Sequence, residues 1–222
     1  MFVFNDGNHD QRVHKQAQAL GFRGYEVRVY CFLTPGQPTN ETREGYTLYR
    51  EDQRGHLSRF FDDRLMGLVR RKRSPNKPEV KRQALLLPPD REPVVPCPKP
   101  SRDLPDQANS HQRAHWAYIK RINLVWAERA AAWRPHLVQA HDLDALEAAV
   151  TLGERLKVPV VYDTHELWSE QPFIDSREAV DHWDNLEGDL IKRTHAVITV
   201  NDPLARILEE RYGLSKVVPL HN

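Results

Sequence analysis

The sequence predicts an α/β protein with a doubly wound, parallel β-sheet in a single domain. Short apolar segments alternate along the chain with longer segments in which apolar residues recur every three or four positions. This alternation is typical of βαβ units, whose parallel strands are joined by right-handed crossovers. With 222 residues and 40% hydrophobic content, the chain is long enough to bury one sizeable core.

The first part of the chain contains one clear βαβ unit. An apolar strand at 1–4 and a polar turn at 5–10 precede a helix at 11–24, in which two glycines supply the stop signal. A strand at 25–32 follows, and a weaker strand is predicted at 46–50. We expect these strands to be parallel.

The second half repeats the alternation more clearly. In its last helix, Asp202 is expected to cap the N-terminus, Pro203 to occupy the first helical position and Gly213 to follow the end. The predicted strands lie at 136–142, 158–162, 196–200 and 216–220, and the helices at 143–157, 177–195 and 202–213.

The middle of the chain has a different composition. Residues 75–105 hold nine of the sixteen prolines, so an irregular, basic segment is predicted at about 70–108 within a domain spanning 1–222. The preceding residues 56–73 fit an amphipathic helix that ends in four basic residues, and 110–133 fit a second helix.

Composition excludes several classes of protein. A formal net charge of +1 gives no basic field, so nucleic acid is not expected as a partner. Two cysteines make neither a disulfide framework nor a C-x-x-C zinc site. The chain has no apolar run of transmembrane length and no signal-peptide pattern, so we expect a cytoplasmic protein.

Ionisable residues are concentrated just after the predicted strands. In an open parallel sheet, ligands bind outside the carboxyl ends of the strands, where loops and helix N-termini converge. We therefore expect a shared cleft at this edge. Its candidate residues are Gly7, Asn8, Asp10 and Arg12 after the first strand, His141 and Asp142 after the strand at 136–140, Asp163, His165 and Glu166 after the strand at 158–162, and Asn201 and Asp202 after the strand at 196–200.

Several of these residues also have purely structural explanations. Asp142 and Asp202 precede helices and fit N-caps. His141 is equally compatible with a buried, satisfied histidine. Gly7 lies in a turn without the G-x-G-x-x-G fingerprint of dinucleotide sites, although a ligand could still approach its backbone.

The cluster after the strand at 158–162 leaves two explanations open. Asp163 and Glu166 either orient His165 within a loop network or form part of a ligand site with it. A metal site is not predicted, because the chain has no H-x-H or H-E-x-x-H spacing here.

Several segments together carry a resemblance to a known family. They are "DQRVHKQAQALGFRGYEVRVY", "VQAHDLDAL", "VPVVYDTHELWSE", "WDNLEGDLIKRTHAVITVNDPLARILEERYG" and "VVPLHN". In order and spacing they resemble the N-terminal, acceptor-side domain of family 4 glycosyltransferases, which is one Rossmann-like half of a GT-B fold. The resemblance runs from near residue 1 to the end, apart from about 50–110.

This resemblance implies the retaining transfer of a sugar from a nucleotide-sugar to an acceptor, without an essential metal or other cofactor. By position, His165 corresponds to a histidine that reaches the donor sugar. The turn containing Gly7 and Asn8 would lie near the donor phosphates, although it lacks the family's glycine pair. On this resemblance, six further candidates are expected to shape the acceptor cleft: Asp10, Arg12, His141, Asp142, Asp163 and Glu166.

In this family, most donor contacts come from a second domain that begins just after a segment like "VVPLHN". We therefore expect that the partners are a nucleotide-sugar, a carbohydrate or lipid-linked acceptor, and a C-terminal domain supplied in cis or in trans. The chain alone is expected to be inactive, with a peripheral contact between 56–73 and the inner face of the membrane. Two alternatives remain: a non-catalytic binding or scaffolding module, and half of a GT-B sugar-nucleotide epimerase.

Overall fold

The computed structural model describes residues 1–52 and 104–221, and within these residues a single sheet of eight strands forms. The strands run in the order β3-β4-β2-β1-β5-β6-β7-β8, and every pairing is parallel except that of β3 with β4. The strands are β1 (Phe2–Val3), β2 (Arg28–Phe32), β3 (Asn40–Arg43), β4 (Tyr46–Glu51), β5 (Val138–His141), β6 (Val160–Thr164), β7 (Ala196–Thr199) and β8 (Val218–Pro219).

Five α-helices flank the sheet in the described part of the chain. They are α1 (Gln11–Phe22), α2 (Ser110–Ala131), α3 (Leu146–Leu156), α4 (Arg177–Ile191) and α5 (Asp202–Tyr212). Short 3-10 turns at Leu143–Ala145 and Trp168–Glu170 follow β5 and β6. The prediction of a Rossmann-like α/β domain with a parallel sheet is confirmed.

The two faces of the sheet have separate cores. Val13 and Ala17 of α1 pack with residues of β1, β2 and β4 in a small apolar cluster. The other face carries the larger core, to which α2, α3, α4 and α5 all contribute. Trp126 of α2 and Tyr162 of β6 are among its largest fully buried side chains.

The antiparallel strand β3 was not predicted. It forms a hairpin with β4 through a tight turn at Glu44 and Gly45, and Gly45 adopts a φ of 86°. Because short polar strands at a sheet edge bury little, "NETR" carries no apolar alternation that would reveal it. Gly21 and Gly45 also allow α1 to lie close to this turn, since a Cβ on Gly21 of α1 would overlap the Gly45 carbonyl.

Helix boundaries correct two details of the prediction. Asn201, not Asp202, caps α5, because the Asn201 side chain accepts the Leu204 N–H and Asp202 is already helical. Pro203 therefore lies one position later than predicted. Gly213 follows the last helical residue, as predicted, and adopts the left-handed conformation.

The predicted helix at 110–133 is confirmed as α2, ending at Ala131. The predicted helix at 56–73 and the segment at 70–108, except for its last five residues, lie outside the described residues. Among the helices of the described ranges, none has the length and apolar character needed to cross a membrane.

Candidate active site

Asp163 at the end of β6 is the centre of a polar cluster at the carboxyl edge of the sheet. Its side chain is fully buried. Arg12 donates to its carboxylate from Nη2 at 2.7 Å and from Nε at 3.0 Å. Gln16 donates from Nε2 to Oδ2 at 2.5 Å. One carboxylate thus holds a guanidinium and an amide from the same helix.

The start of α1 determines where Arg12 lies. Asp10 caps this helix by accepting the Val13 N–H at 3.1 Å, which places Arg12 in the first turn. The Arg12 guanidinium also donates to the main-chain carbonyl oxygens of Leu220 at 2.8 Å and Thr199 at 3.3 Å. Arg12 therefore joins α1 to β6, β7 and the segment after β8.

Two histidines also lie next to the Asp163 carboxylate. His141 Nδ1 is 3.3 Å and His165 Nε2 is 3.7 Å from Asp163 Oδ2. The two rings are 5.8 Å apart. His141 is fully buried, whereas the His165 side chain is 20% exposed, so His165 is the member of this pair that a ligand can reach.

Asp142, directly after β5, contacts His165 through both carboxylate oxygens. Its Oδ1 accepts the main-chain N–H of His165 at 3.0 Å, and its Oδ2 lies 3.3 Å from His165 Nδ1. The predicted helix cap at Asp142 is wrong, because this side chain makes no cap hydrogen bond to the following turn. Its oxygens are directed at His165 instead.

These contacts decide the charge of the cluster. Burial opposes the ionised form of Asp163, but the nearby His141 and His165 rings and the hydrogen bonds from Arg12 outweigh it and hold the pKa of Asp163 well below its usual range. Burial also opposes the charged form of His165, yet Asp163 and Asp142 raise its pKa overall. The site therefore favours a carboxylate beside an imidazolium.

The pKa of Asp142 shifts in the opposite direction to that of Asp163. Burial raises its pKa, and the charge and main-chain N–H of His165 only partly offset that effect.

Glu166 has an exposed side chain, and its carbonyl accepts the Thr164 hydroxyl at 2.9 Å. It thus borders the cluster from the solvent side.

The turn with Gly7 and Asn8 forms a separate, neighbouring polar group. Gly7 has a φ of 69° and is buried, and a Cβ there would crowd the Cys31 sulfur. The Asn8 side-chain oxygen accepts from Arg43 at 3.2 Å and from Arg50 at 3.1 Å. Both arginines also pair with Glu41, which compensates their charge.

The main-chain N–H groups of this turn are already hydrogen-bonded. Gly7 N–H donates to the Asn5 side chain at 2.8 Å, and Asn8 N–H donates to Asp6 at 3.0 Å. A phosphate approaching here must exchange these intramolecular bonds for its own oxygens. The geometry therefore gives the expected phosphate contact less support than it gives the cluster around Asp163.

Two glutamines were missed by the sequence analysis. Gln16 lies four residues after Arg12, so both project from the same face of α1. Gln139 lies two residues before His141, on the same face of β5, and donates to Gln16 Oε1 at 2.6 Å. Those spacings were a usable signal once Arg12, His141 and Asp163 had been singled out.

The cluster also contains three residues of metal-binding type. His141, Asp163 and His165 each bring one potential ligand atom to within 4.8 Å of the others. However, the Asp163 oxygens already accept from Arg12 and Gln16, and a guanidinium 2.7 Å away would repel a divalent cation. The arrangement favours hydrogen bonding and ion pairing over metal coordination.

Together, fold and site define a Rossmann-like domain with a partly accessible histidine at the carboxyl edge of its sheet. A family model described as a glycosyl transferase 4-like domain matches residues 9–222, and the chain belongs to this family. The resemblance seen in the sequence is confirmed, and membership supports a glycosyltransferase-type function with sugar-nucleotide and acceptor substrates in general. No curated protein matched the chain.

Proposed function

We propose that this chain is the acceptor-side half of a retaining glycosyltransferase that moves a sugar, of the hexose type, from a nucleotide-sugar to an acceptor. The donor-binding domain would be supplied in cis or in trans. The observation that carries the proposal is the Asp163-centred cluster, which lies at the carboxyl edge of the sheet in a chain that belongs to the family.

In this proposal, His165 is the residue that contacts the donor sugar. Asp163 and Asp142 raise its pKa, which favours the positively charged form, and 20% of its side chain is exposed at the edge. A fixed positive charge stabilises negative charge that develops on a leaving diphosphate, provided that it is positioned before the reaction. Arg12 and His141 are buried, so their part is to hold Asp163 and His165 in place.

We propose that the reaction needs no metal or other cofactor, since the basic side chains supply the charge stabilisation. The acceptor would be a carbohydrate or a lipid-linked carbohydrate. A cytoplasmic location, with residues 56–73 touching the inner face of the membrane, belongs to the same proposal. It is supported by Phe60, Phe61 and the four basic residues at 70–73.

The test is a transfer assay with the intact protein, preceded by sequencing of its coding DNA beyond the codon for Asn222 to locate the second domain. UDP-, GDP- and ADP-sugars are supplied with carbohydrate and lipid-linked acceptors, and the release of nucleoside diphosphate is measured. Proton NMR of the product then gives the anomeric configuration. Transfer with retention supports the proposal.

His165→Ala is expected to lower kcat about 100-fold, a typical effect of losing one group that stabilises transition-state charge. His136→Ala is the matched control, because His136 is exposed and precedes β5 at the opposite edge of the sheet. Equal turnover of the two variants would remove His165 from the mechanism. Absence of transfer and of nucleotide-sugar binding by the intact protein would favour a binding module instead.

A further inference from the structure

We infer that Asp142 is a positioning residue, which fixes the ring of His165 in one orientation at the edge of the sheet. This inference deepens the proposed function and rests on it for its role in transfer. Its structural content, however, is independent of sugar chemistry. It concerns only how the Asp142 carboxylate and the His165 imidazole are arranged.

The contact between the two residues is double. One Asp142 oxygen accepts the His165 main-chain N–H at 3.0 Å, while the other lies 3.3 Å from Nδ1 of the same residue. A single carboxylate therefore holds both the backbone and the ring of His165. A side chain held at two points loses rotational freedom, as positioning requires.

The backbone of Asp142 is a second, independent observation. Its φ of 62° and ψ of 168° fall in a region that is essentially reserved for glycine. Lys157, with a φ of 59° and a ψ of 43°, shows the ordinary left-handed conformation of a helix end instead. The Asp142 N–H also donates to the Asp163 carbonyl at 3.0 Å, which holds this unusual backbone in the ladder of β5 and β6.

The orientation has a consequence for the ring nitrogens. Nε2 of His165 is buried and lies 3.7 Å from Asp163, while Nδ1 faces Asp142. Both nitrogens are thus directed at carboxylates.

Charged groups from every neighbouring element surround this ring. Asp163 on β6 and Asp142 after β5 raise the pKa of His165, and Arg12 on α1 lowers it. The His141 ring on β5 lies 5.8 Å away. Glu166, the next residue on the same loop, is exposed. Asp142 is the carboxylate in this set that contacts both the ring and the backbone of His165.

The test measures the imidazole pKa of His165 by NMR titration of the full chain, comparing the natural protein with Asp142→Asn. Asparagine has the same shape as aspartate, so it makes the same demand on the backbone, and it keeps an oxygen for the His165 N–H. The substitution removes the charge and replaces the oxygen that faces His165 Nδ1 with an NH2 group. We expect the proton affinity of His165 to fall about tenfold, which is one pKa unit.

Asp189→Asn is the matched control, since Asp189 is an exposed residue of α4 paired with Arg193. This substitution changes the net charge by the same amount as Asp142→Asn, and it is expected to leave the imidazole pKa of His165 unchanged. Asp142→Gly is the second variant, because glycine relieves the backbone conformation and so preserves folding while removing the carboxylate. Loss of proton affinity in both Asp142 variants supports the inference.

An unchanged His165 titration in both variants overturns the inference, whatever the transfer assay shows. If the titration shifts but no transfer is found, the proposed function fails and the positioning role stands. The two failures are therefore distinguishable. The titration requires neither donor nor acceptor.

Discussion

Arg12 and Asp163 are separated by 151 residues in the chain and form a buried ion pair with an Nη2–Oδ1 distance of 2.7 Å. The same guanidinium binds the carbonyl oxygens of Thr199 and Leu220. The first helix is thereby attached to the middle and the far side of the sheet. Stability and site geometry depend on the same side chain.

Arg12→Met is expected to destabilise the protein by about 3–5 kcal/mol, because it leaves a buried carboxylate without its cation. Urea unfolding followed by circular dichroism measures this loss. Arg155→Met is the matched control, since Arg155 and its partner Glu128 are both exposed and such pairs contribute about 1 kcal/mol or less. Similar losses in the two variants would contradict the central role of Arg12.

The stability of the protein in acid depends on Asp163. The pKa of Asp163 is lower in the folded chain than the ordinary value of 3.8. The contribution of Asp163 to the free energy of unfolding is therefore present above pH 3.8 and is lost as the pH falls through the folded pKa. Thermal melts between pH 6 and pH 2 should show a steeper loss for the natural protein than for Asp163→Asn. Parallel curves for the two proteins would show that Asp163 is not the relevant group.

Glu187 is expected to show the opposite dependence on pH. Burial raises its pKa above the ordinary 4.5, although hydrogen bonds from Tyr212 and Tyr162 partly offset this. Its contribution is therefore present below pH 4.5 and decreases as the pH rises through the folded pKa. Glu187→Gln should flatten this part of the profile, measured by urea unfolding at a series of pH values.

Truncating the same residue should have a larger effect. The Glu187 carboxylate accepts from the hydroxyls of Tyr162 at 2.7 Å and Tyr212 at 2.6 Å, which join α4 to β6 and α5. Glu187→Ala leaves both hydroxyls without this partner, and we expect a loss of about 2–6 kcal/mol at pH 7. Glu154→Ala, on an exposed residue, should change the stability by about 0.5 kcal/mol or less.

Three helical glycines should respond differently to alanine. A Cβ on Gly188 meets only the Tyr212 ring at ordinary contact distance, so Gly188→Ala is expected to stabilise the protein by about 0.5–1 kcal/mol. A Cβ on Gly21 or Gly153 would overlap Gly45 or Val160, so these substitutions should destabilise it. Thermal melts of the three variants test the ranking, with Gly188→Ala as the internal control.

Much of the fold was accessible from the sequence, because apolar periodicity reflects burial directly. The strands on either side of α3 and α4 were predicted correctly, since the apolar runs of the strands and the helical spacing of apolar residues are both strong there. The hairpin strand β3 was missed because it buries little. The cap of α5 was placed one residue late because Asn201 and Asp202 are both good capping residues.

The site was harder to predict than the fold. Placing Asp163 and His165 at the carboxyl edge needed only the strand pattern. The contacts of Asp142 depend on its backbone conformation, and no sequence pattern predicts that conformation. Gln16 was missed because a glutamine on a helix is usually solvated, and only the long-range contact with Asp163 shows otherwise.

In the described part of the chain, α1 is the helix that contributes to the smaller core, whereas four helices share the other face. Arg12 and Gln16 both belong to α1. A local opening of this one helix would withdraw both donors from Asp163 at the same moment. The amide hydrogen exchange of α1 would therefore measure how often Asp163 loses these two donors, and a ligand that stabilises this edge of the sheet should slow that exchange.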